Sequence, residues 1–153
     1  MGKGIALQFK NQFPSNYRAY VKACKTGVLK IGQLLAVEDS SLLYGKKTII
    51  NFPTKTDWRK PSEYEYIEQG LKDLVNLIEE HKIHSIAVPP LGAGNGGLDW
   101  YKVKILIDKY LSNLDCSIAV YEPNAEVKEV LKNNYIYILM QNIRLNAKTI
   151  LPF

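Results

Sequence analysis

The sequence predicts an α/β sandwich with a mixed sheet. Three observations carry that prediction. Short apolar strands alternate with amphipathic helices along the chain. The segment Ser85–Val88 is apolar from Ile86 onward, as expected for a strand covered on both faces. That strand then breaks at a proline pair into a glycine-rich turn that runs into a helix. At 153 residues, 46% hydrophobic and 23% charged, the chain has the size and composition of one globular domain.

The elements follow in order. Residues 1–9 read as a glycine-containing turn entering a helix. Pro14 and Ser15 start a second helix, in which Tyr17, Tyr20, Val21 and Cys24 share one face and which Gly27 closes. Two strands are expected at 33–38 and 47–52, around a turn at Tyr44 and Gly45. A loop at 53–61 carries Lys55, Asp57, Trp58 and Arg59. A long helix follows over 62–81, marked at its start by Pro61 and Ser62. Its buried stripe is Tyr64, Ile67, Leu71, Leu74, Val75 and Ile78. After the strand at 85–88 come a helix over 99–111 with Asp99 as its N-cap, and a buried strand at 116–121. The chain finishes with a short helix at 124–131 capped by Asn124, a strand at 135–140 and an extended piece at 149–153.

Composition narrows the function classes. No apolar run approaches the roughly 20 residues of a membrane span, and no signal peptide is evident. Cys24 and Cys116 match no metal-ligand spacing and read as reduced, buried thiols of a cytosolic protein. His81 and His84 are the only histidines, so neither a structural zinc site nor any other metal site is expected. The net charge of +5 is compatible with a phosphate-rich partner and is spread along the chain rather than gathered in a block.

The chemistry is expected beyond the carboxyl ends of the strands, where open α/β sheets bind ligands. The run Val88-Pro89-Pro90-Leu91-Gly92-Ala93-Gly94-Asn95-Gly96-Gly97-Leu98-Asp99-Trp100 places four glycines in six residues before a helix N-terminus. Such a loop either cradles a phosphate with its amides or uses glycine for turn geometry alone. It has neither the ending of a P-loop nor the spacing of a dinucleotide fingerprint. Lys55, just past a strand in Asn51-Phe52-Pro53-Thr54-Lys55, is either an exposed loop lysine or a desolvated one. A desolvated lysine can serve as nucleophile, Schiff-base former or fixed cation. Trp58 and Arg59 form either a stacking platform for a nucleic-acid base or a hydrophobic plug. Tyr121-Glu122-Pro123 would close the third side.

Taken together, Met1-Gly2-Lys3-Gly4-Ile5-Ala6-Leu7-Gln8-Phe9-Lys10, Asn51-Phe52-Pro53-Thr54-Lys55 and the glycine loop resemble the macrodomain superfamily. Within it the chain is most similar to the macrodomains of DarG-type DNA ADP-ribosyl glycohydrolases, and more distantly to terminal ADP-ribose glycohydrolases. The resemblance covers residues 1–123, with 124–153 read as a C-terminal helix and strand extension of one domain spanning 1–153. It implies a three-layer α/β/α sandwich with an ADP-ribose site. Gly2, Gly4, Ile5 and Ala6 would line the distal ribose and phosphates. Thr54 would belong to the same site. Gly92, Ala93, Gly94, Asn95 and Gly96 would surround the pyrophosphate, and Tyr121 would stand by the adenine. Lys55 matches the family's catalytic lysine, which acts at the anomeric carbon of the ribose linked to the target. The implied activity needs no cofactor and removes ADP-ribose from thymidine in single-stranded DNA, with Trp58 and Arg59 as DNA contacts. An ADP-ribosyltransferase toxin is the implied partner, in an antitoxin-like pairing away from membranes. The alternatives are a non-catalytic ADP-ribose-binding module and a truncated, inactive macrodomain.

The sequence departs from that pattern in two places. Family members carry two strands before the first glycine turn, with an adenine-binding Asp and an asparagine-rich strand end facing the ribose, and this sequence starts after them. Either it is a fragment or a late start, or the strand at 135–140 fills the vacated place. An unfilled place would leave a sheet edge that invites dimerisation. Terminal glycohydrolases also place a catalytic aspartate in the glycine loop, where Asn95 and Gly96 stand here.

Overall fold

A computed structural model describes residues 4–123 and 136–142. The helix expected at 124–131 and the extended piece at 149–153 lie outside the described residues. The elements are α1 (Gly4–Gln12), α2 (Pro14–Thr26), β1 (Leu35–Ser41), β2 (Gly45–Lys55), α3 (Tyr64–Glu80), β3 (Ser85–Val88), α4 (Trp100–Leu111), β4 (Ser117–Val120) and β5 (Ile136–Asn142).

The five strands form one sheet in the order β1-β2-β5-β3-β4. β1 is antiparallel to β2, and the other pairings are parallel, so the sheet is mixed. The C-terminal strand therefore enters the sheet between β2 and β3. Alternation along the strands builds two cores. Ile49 and Ala87 face Phe9, Phe13, Tyr17 and Tyr20 of α1 and α2. Ile50, Phe52, Ile86 and Val88 face Ile67, Leu71 and Leu74 of α3 and Val103 and Ile107 of α4. Helices on both faces of a sheet make the three-layer α/β/α arrangement.

Local chemistry explains most boundaries. Pro14 occupies the first turn of α2, where its missing N–H costs nothing, and Gly27 ends the helix in the left-handed region at φ 72°. Asp99 caps α4, its side chain accepting from the Lys102 amide at 3.1 Å. Asn51 Nδ2 donates to Asn16 Oδ1 at 2.8 Å and to the Leu35 carbonyl at 3.1 Å, so a buried amide pair ties α2 to β2. Glu68 of α3 accepts from the Tyr110 hydroxyl and the Lys109 ammonium of α4. Those two donors hold its carboxyl below the usual range.

Several expectations are corrected. β1 begins at Leu35 rather than Gln33, because a tight turn at 30–33 precedes it and Asp73 Oδ2 takes the Leu34 amide at 2.8 Å. β2 continues through Pro53 to Lys55, since β5 pairs with it there while β1 pairs only as far as Asn51. α3 begins at Tyr64 with Glu63 at the cap position, so Ser62 is not the helix start. Tyr64 is exposed rather than part of the buried stripe, and Val75 is half-buried. β4 is half-exposed rather than buried, because it borders the sheet among the described residues. Cys24 and Cys116 are free and half-buried rather than buried; burial raises the pKa of both thiols. Among the described residues no helix is long and apolar enough to cross a membrane.

Candidate functional site

The parallel strands point the same way: β2 and β5 end opposite each other at Lys55 and Asn142, and β3 and β4 end opposite each other, further back in the sheet, at Val88 and Val120. In register, Asn142 stands opposite Lys55. Beyond β3 the chain folds into the glycine loop through short turns, Leu91 N donating to the Pro89 carbonyl at 2.8 Å and Ala93 N to that of Pro90 at 3.1 Å. Gly97 N then donates to the Gly94 carbonyl at 3.0 Å, and Leu98 N closes the loop on the Gly92 carbonyl at 3.1 Å.

Geometry requires glycine most plainly at Gly92 and Gly96, and Gly94 and Gly97 also take positive φ. Gly92 has φ 68°, a conformation that side chains rarely adopt. A Cβ on Gly96 would lie 2.2 Å from the Gly92 carbonyl oxygen, so the loop can cross itself only at a residue without a side chain.

The loop is clamped to the β2–α3 connection. Lys55 Nζ donates to the Asn95 carbonyl at 2.8 Å, and Ser62 N donates to the Gly96 carbonyl at 2.9 Å. Tyr64, just beyond, accepts from the Asp99 amide through its hydroxyl at 3.1 Å. Because the peptide between Asn95 and Gly96 is trans, holding the Asn95 carbonyl toward Lys55 turns the Gly96 N–H away from it. The parallel bridge between Ala93 and Leu98 turns the Gly94 amide toward the Leu98 carbonyl. A glycine-rich loop ahead of the N-terminus of α4 favours an anion.

Lys55 resolves the first ambiguity of the sequence. It is the last residue of a strand, only 9% exposed, so it is not a loop lysine in solvent. Its recorded partner is a neutral carbonyl, and among the described residues it forms no ion pair with a carboxylate. A buried cation in that state attracts an anionic ligand. Thr54, the residue before it, is buried at 4% exposure.

Trp58 is 45% exposed, which excludes the hydrophobic plug. The Arg59 guanidinium lies 5.5 Å from the centre of its ring, a cation–π contact, and also 3.7 Å from Asp57 Oδ1. Tyr121 is half-buried against the α1–α2 core. Its amide donates to the Val88 carbonyl at 2.9 Å, which fixes it beside the start of the glycine loop. Gly92, Ala93, Gly94, Asn95, Gly96, Lys55, Thr54 and Tyr121 are thus brought to one end of the sheet, with Trp58 and Arg59 on the connection that follows. Gly4, Ile5 and Ala6 form the first turn of α1, and Gly2 lies outside the described residues. His81 and His84 are exposed near the opposite end, before β3 begins. Sequence reasoning missed Ser62 and Tyr64 as parts of the site. Ser62 carried the signal of a helix cap and Tyr64 that of a core stripe, and both signals concealed contacts made across the chain.

These features define a class, the three-layer α/β/α proteins that present a glycine loop and a helix N-terminus at the carboxyl end of a mixed sheet. Within that class the chain belongs to the Macro domain family, whose family model matches residues 1–107. It is 56% identical over 124 residues to a DNA ADP-ribosyl glycohydrolase of Thermus aquaticus, covering 80% of this chain and 34% of that protein. Among solved structures it is similar to the macrodomain of Mycobacterium tuberculosis DarG, with 50% identity and a TM-score of 0.76 over 81% of this chain and 82% of that one. It is also similar to Thermosipho africanus DarTG in complex with ADP-ribose, with 34% identity and a TM-score of 0.73 over 84% of this chain and 36% of that one. The chain spans about a third of the length of the curated relatives it matches.

Proposed function

We propose that this chain is an ADP-ribosyl glycohydrolase that binds ADP-ribose and releases it from ADP-ribosylated DNA, with thymidine as the modified base. The observation that carries the proposal is the buried, carboxylate-free Lys55 ammonium lying 2.8 Å from the Asn95 carbonyl of the glycine loop. In this reading Gly92, Ala93, Gly94, Asn95 and Gly96 hold the pyrophosphate. Gly2, Gly4, Ile5, Ala6 and Thr54 contribute to the ribose and phosphate side, and Tyr121 to the adenine side. Lys55 acts at the anomeric carbon of the distal ribose. The bond from that carbon to the base nitrogen breaks, and water supplies hydroxyl to the carbon and a proton to the base. No metal or cofactor enters the step. The DNA ADP-ribosyl glycohydrolase at 56% identity and the relative solved with ADP-ribose support the substrate. An ADP-ribosyltransferase that installs the mark is the partner this activity calls for. We also take residues 1–153 as one domain, a reading supported by the central position of β5 in the sheet.

In the same proposal Trp58 stacks on a base next to the modified one, and Arg59 meets the phosphate backbone. Trp58→Ala is expected to lower kcat/KM on ADP-ribosylated single-stranded DNA by about 10-fold, within the range of one lost base–aromatic stack. The affinity for free ADP-ribose, measured by calorimetry, is expected to stay unchanged. Full activity of that variant on DNA would remove Trp58 from the nucleic-acid surface.

A further inference from the structure

Two aromatic rings near the glycine loop face solvent with a cation over them. One is Trp58, paired with Arg59; the other is Tyr64, whose ring centre lies 5.8 Å from Lys102 Nζ. The spacing of α3 puts Tyr64 on the apolar stripe, yet the residue is 36% exposed. Its hydroxyl accepts from the Asp99 amide at 3.1 Å, which pins the ring where the loop enters α4. Gly96 is three residues before Asp99, so at most about 11 Å of chain separates the loop from that anchor. Lys102 differs from the other cations that lie over rings. Tyr17, under Lys10, is buried, while Lys109, over Tyr110, is neutralised by Glu68 at 3.2 Å. Arg59 lies 3.7 Å from Asp57. Lys102 forms no ion pair among the described residues, and the nearby Asp99 carboxylate is engaged as the helix cap. Glu63 and Glu65, the acids beside Tyr64, turn along α3 to Tyr66 and Gln69. An immobilised, exposed ring under a cation without a carboxylate suits a base and its phosphate.

We propose that Tyr64 and Lys102 form a second contact for single-stranded DNA, separate from Trp58 and Arg59, which receives the strand flanking the modified nucleotide. The inference rests on the proposed DNA substrate. A flanking base stacks on the Tyr64 ring, and the Lys102 ammonium, on its flexible stem, shifts from the ring face to the adjoining phosphate. The span of about 11 Å between the loop and the Asp99 anchor matches about three stacked nucleotides at roughly 3.4 Å each. A strand whose modified base is at Lys55 therefore reaches Tyr64 without leaving the surface. Stacking needs only a π-face, so this contact favours single-stranded over duplex DNA and is tolerant of sequence.

The test compares wild type, Tyr64→Leu and Lys102→Gln on two substrates, a long thymidine-ADP-ribosylated oligonucleotide and ADP-ribosylated thymidine monophosphate. Binding of a labelled, unmodified single-stranded oligonucleotide is followed by anisotropy over a range of salt. The ratio of kcat/KM on the oligonucleotide to that on the mononucleotide is expected to fall about 5- to 20-fold in Tyr64→Leu, the scale of one lost base–aromatic stack. In Lys102→Gln the slope of log affinity against log salt is expected to shrink by about 0.7, the value of one phosphate contact on a single strand. An unchanged ratio with an unchanged salt slope would overturn the proposal and leave this face to a protein partner. Equal losses on both substrates would also overturn it, and would make Tyr64 a support of the glycine loop. An inactive wild type that still binds the oligonucleotide through Tyr64 and Lys102 would instead overturn the glycohydrolase reading and leave the DNA contact standing.

Discussion

Lys55→Ala is expected to lower the single-turnover rate of ADP-ribose release from modified DNA by at least about 10²-fold, the scale of losing one preorganised charged group at a reacting centre. The affinity for free ADP-ribose is expected to change by no more than a few fold. The asymmetry follows from the geometry. The glycine loop is held at two neighbouring carbonyls, and only the Asn95 bond is lost with the lysine; the bond from Ser62 N to the Gly96 carbonyl remains. Lys55→Met keeps most of the buried volume without the charge and is expected to match the alanine variant in rate. Loss of binding in both variants would make Lys55 a ligand anchor instead of a group acting at the anomeric carbon.

Gly70→Ala carries the second large expectation. Gly70 faces the Phe52 ring across the α3–β2 contact, and a Cβ there would lie 2.2 Å from Phe52 Cζ and 2.5 Å from Cε1. The ring is wholly buried and cannot swing clear, so the helix or the strand must shift. Overpacking of this kind destabilises by about 1–3 kcal/mol. For a chain of this size that lowers the unfolding temperature by about 2–4 °C per kcal/mol. Phe52 stands three residues before Lys55 on the same strand, so the strain is aimed at the site, and ADP-ribose affinity is expected to fall with stability. An unchanged unfolding temperature would show that the α3–β2 contact is looser than its geometry indicates.

How much of this was legible in the sequence depends on how far each contact reaches. The glycine loop, the Asp99 cap and the strand at 85–88 are set by neighbours a few residues away, and local signals found them. The end of β2 is not legible locally because its continuation through Pro53 depends on β5, where Pro53 pairs with Gln141, 88 residues later in the chain. The burial of Lys55 follows from the same pairing, so the strongest feature of the site was open to two readings until the sheet was assembled. Ser62 has a serine's ordinary reason to stand before a helix, and nothing local shows that the glycine loop lies over it. Trp58 could be placed on the surface only once its exposure was known. The edge position of β4 depends on strand order, which an apolar run such as Ser117–Val120 does not encode.

The central claim is that the carboxyl end of this sheet both binds ADP-ribose and cuts it from DNA. The most direct measurement is a single-turnover assay of the wild-type chain on thymidine-ADP-ribosylated single-stranded DNA, with ADP-ribose affinity measured on the same preparation. The account predicts saturable binding together with release of free ADP-ribose and unmodified DNA. Binding without release would contradict it and make the chain an ADP-ribose reader, while absence of both would contradict the site itself.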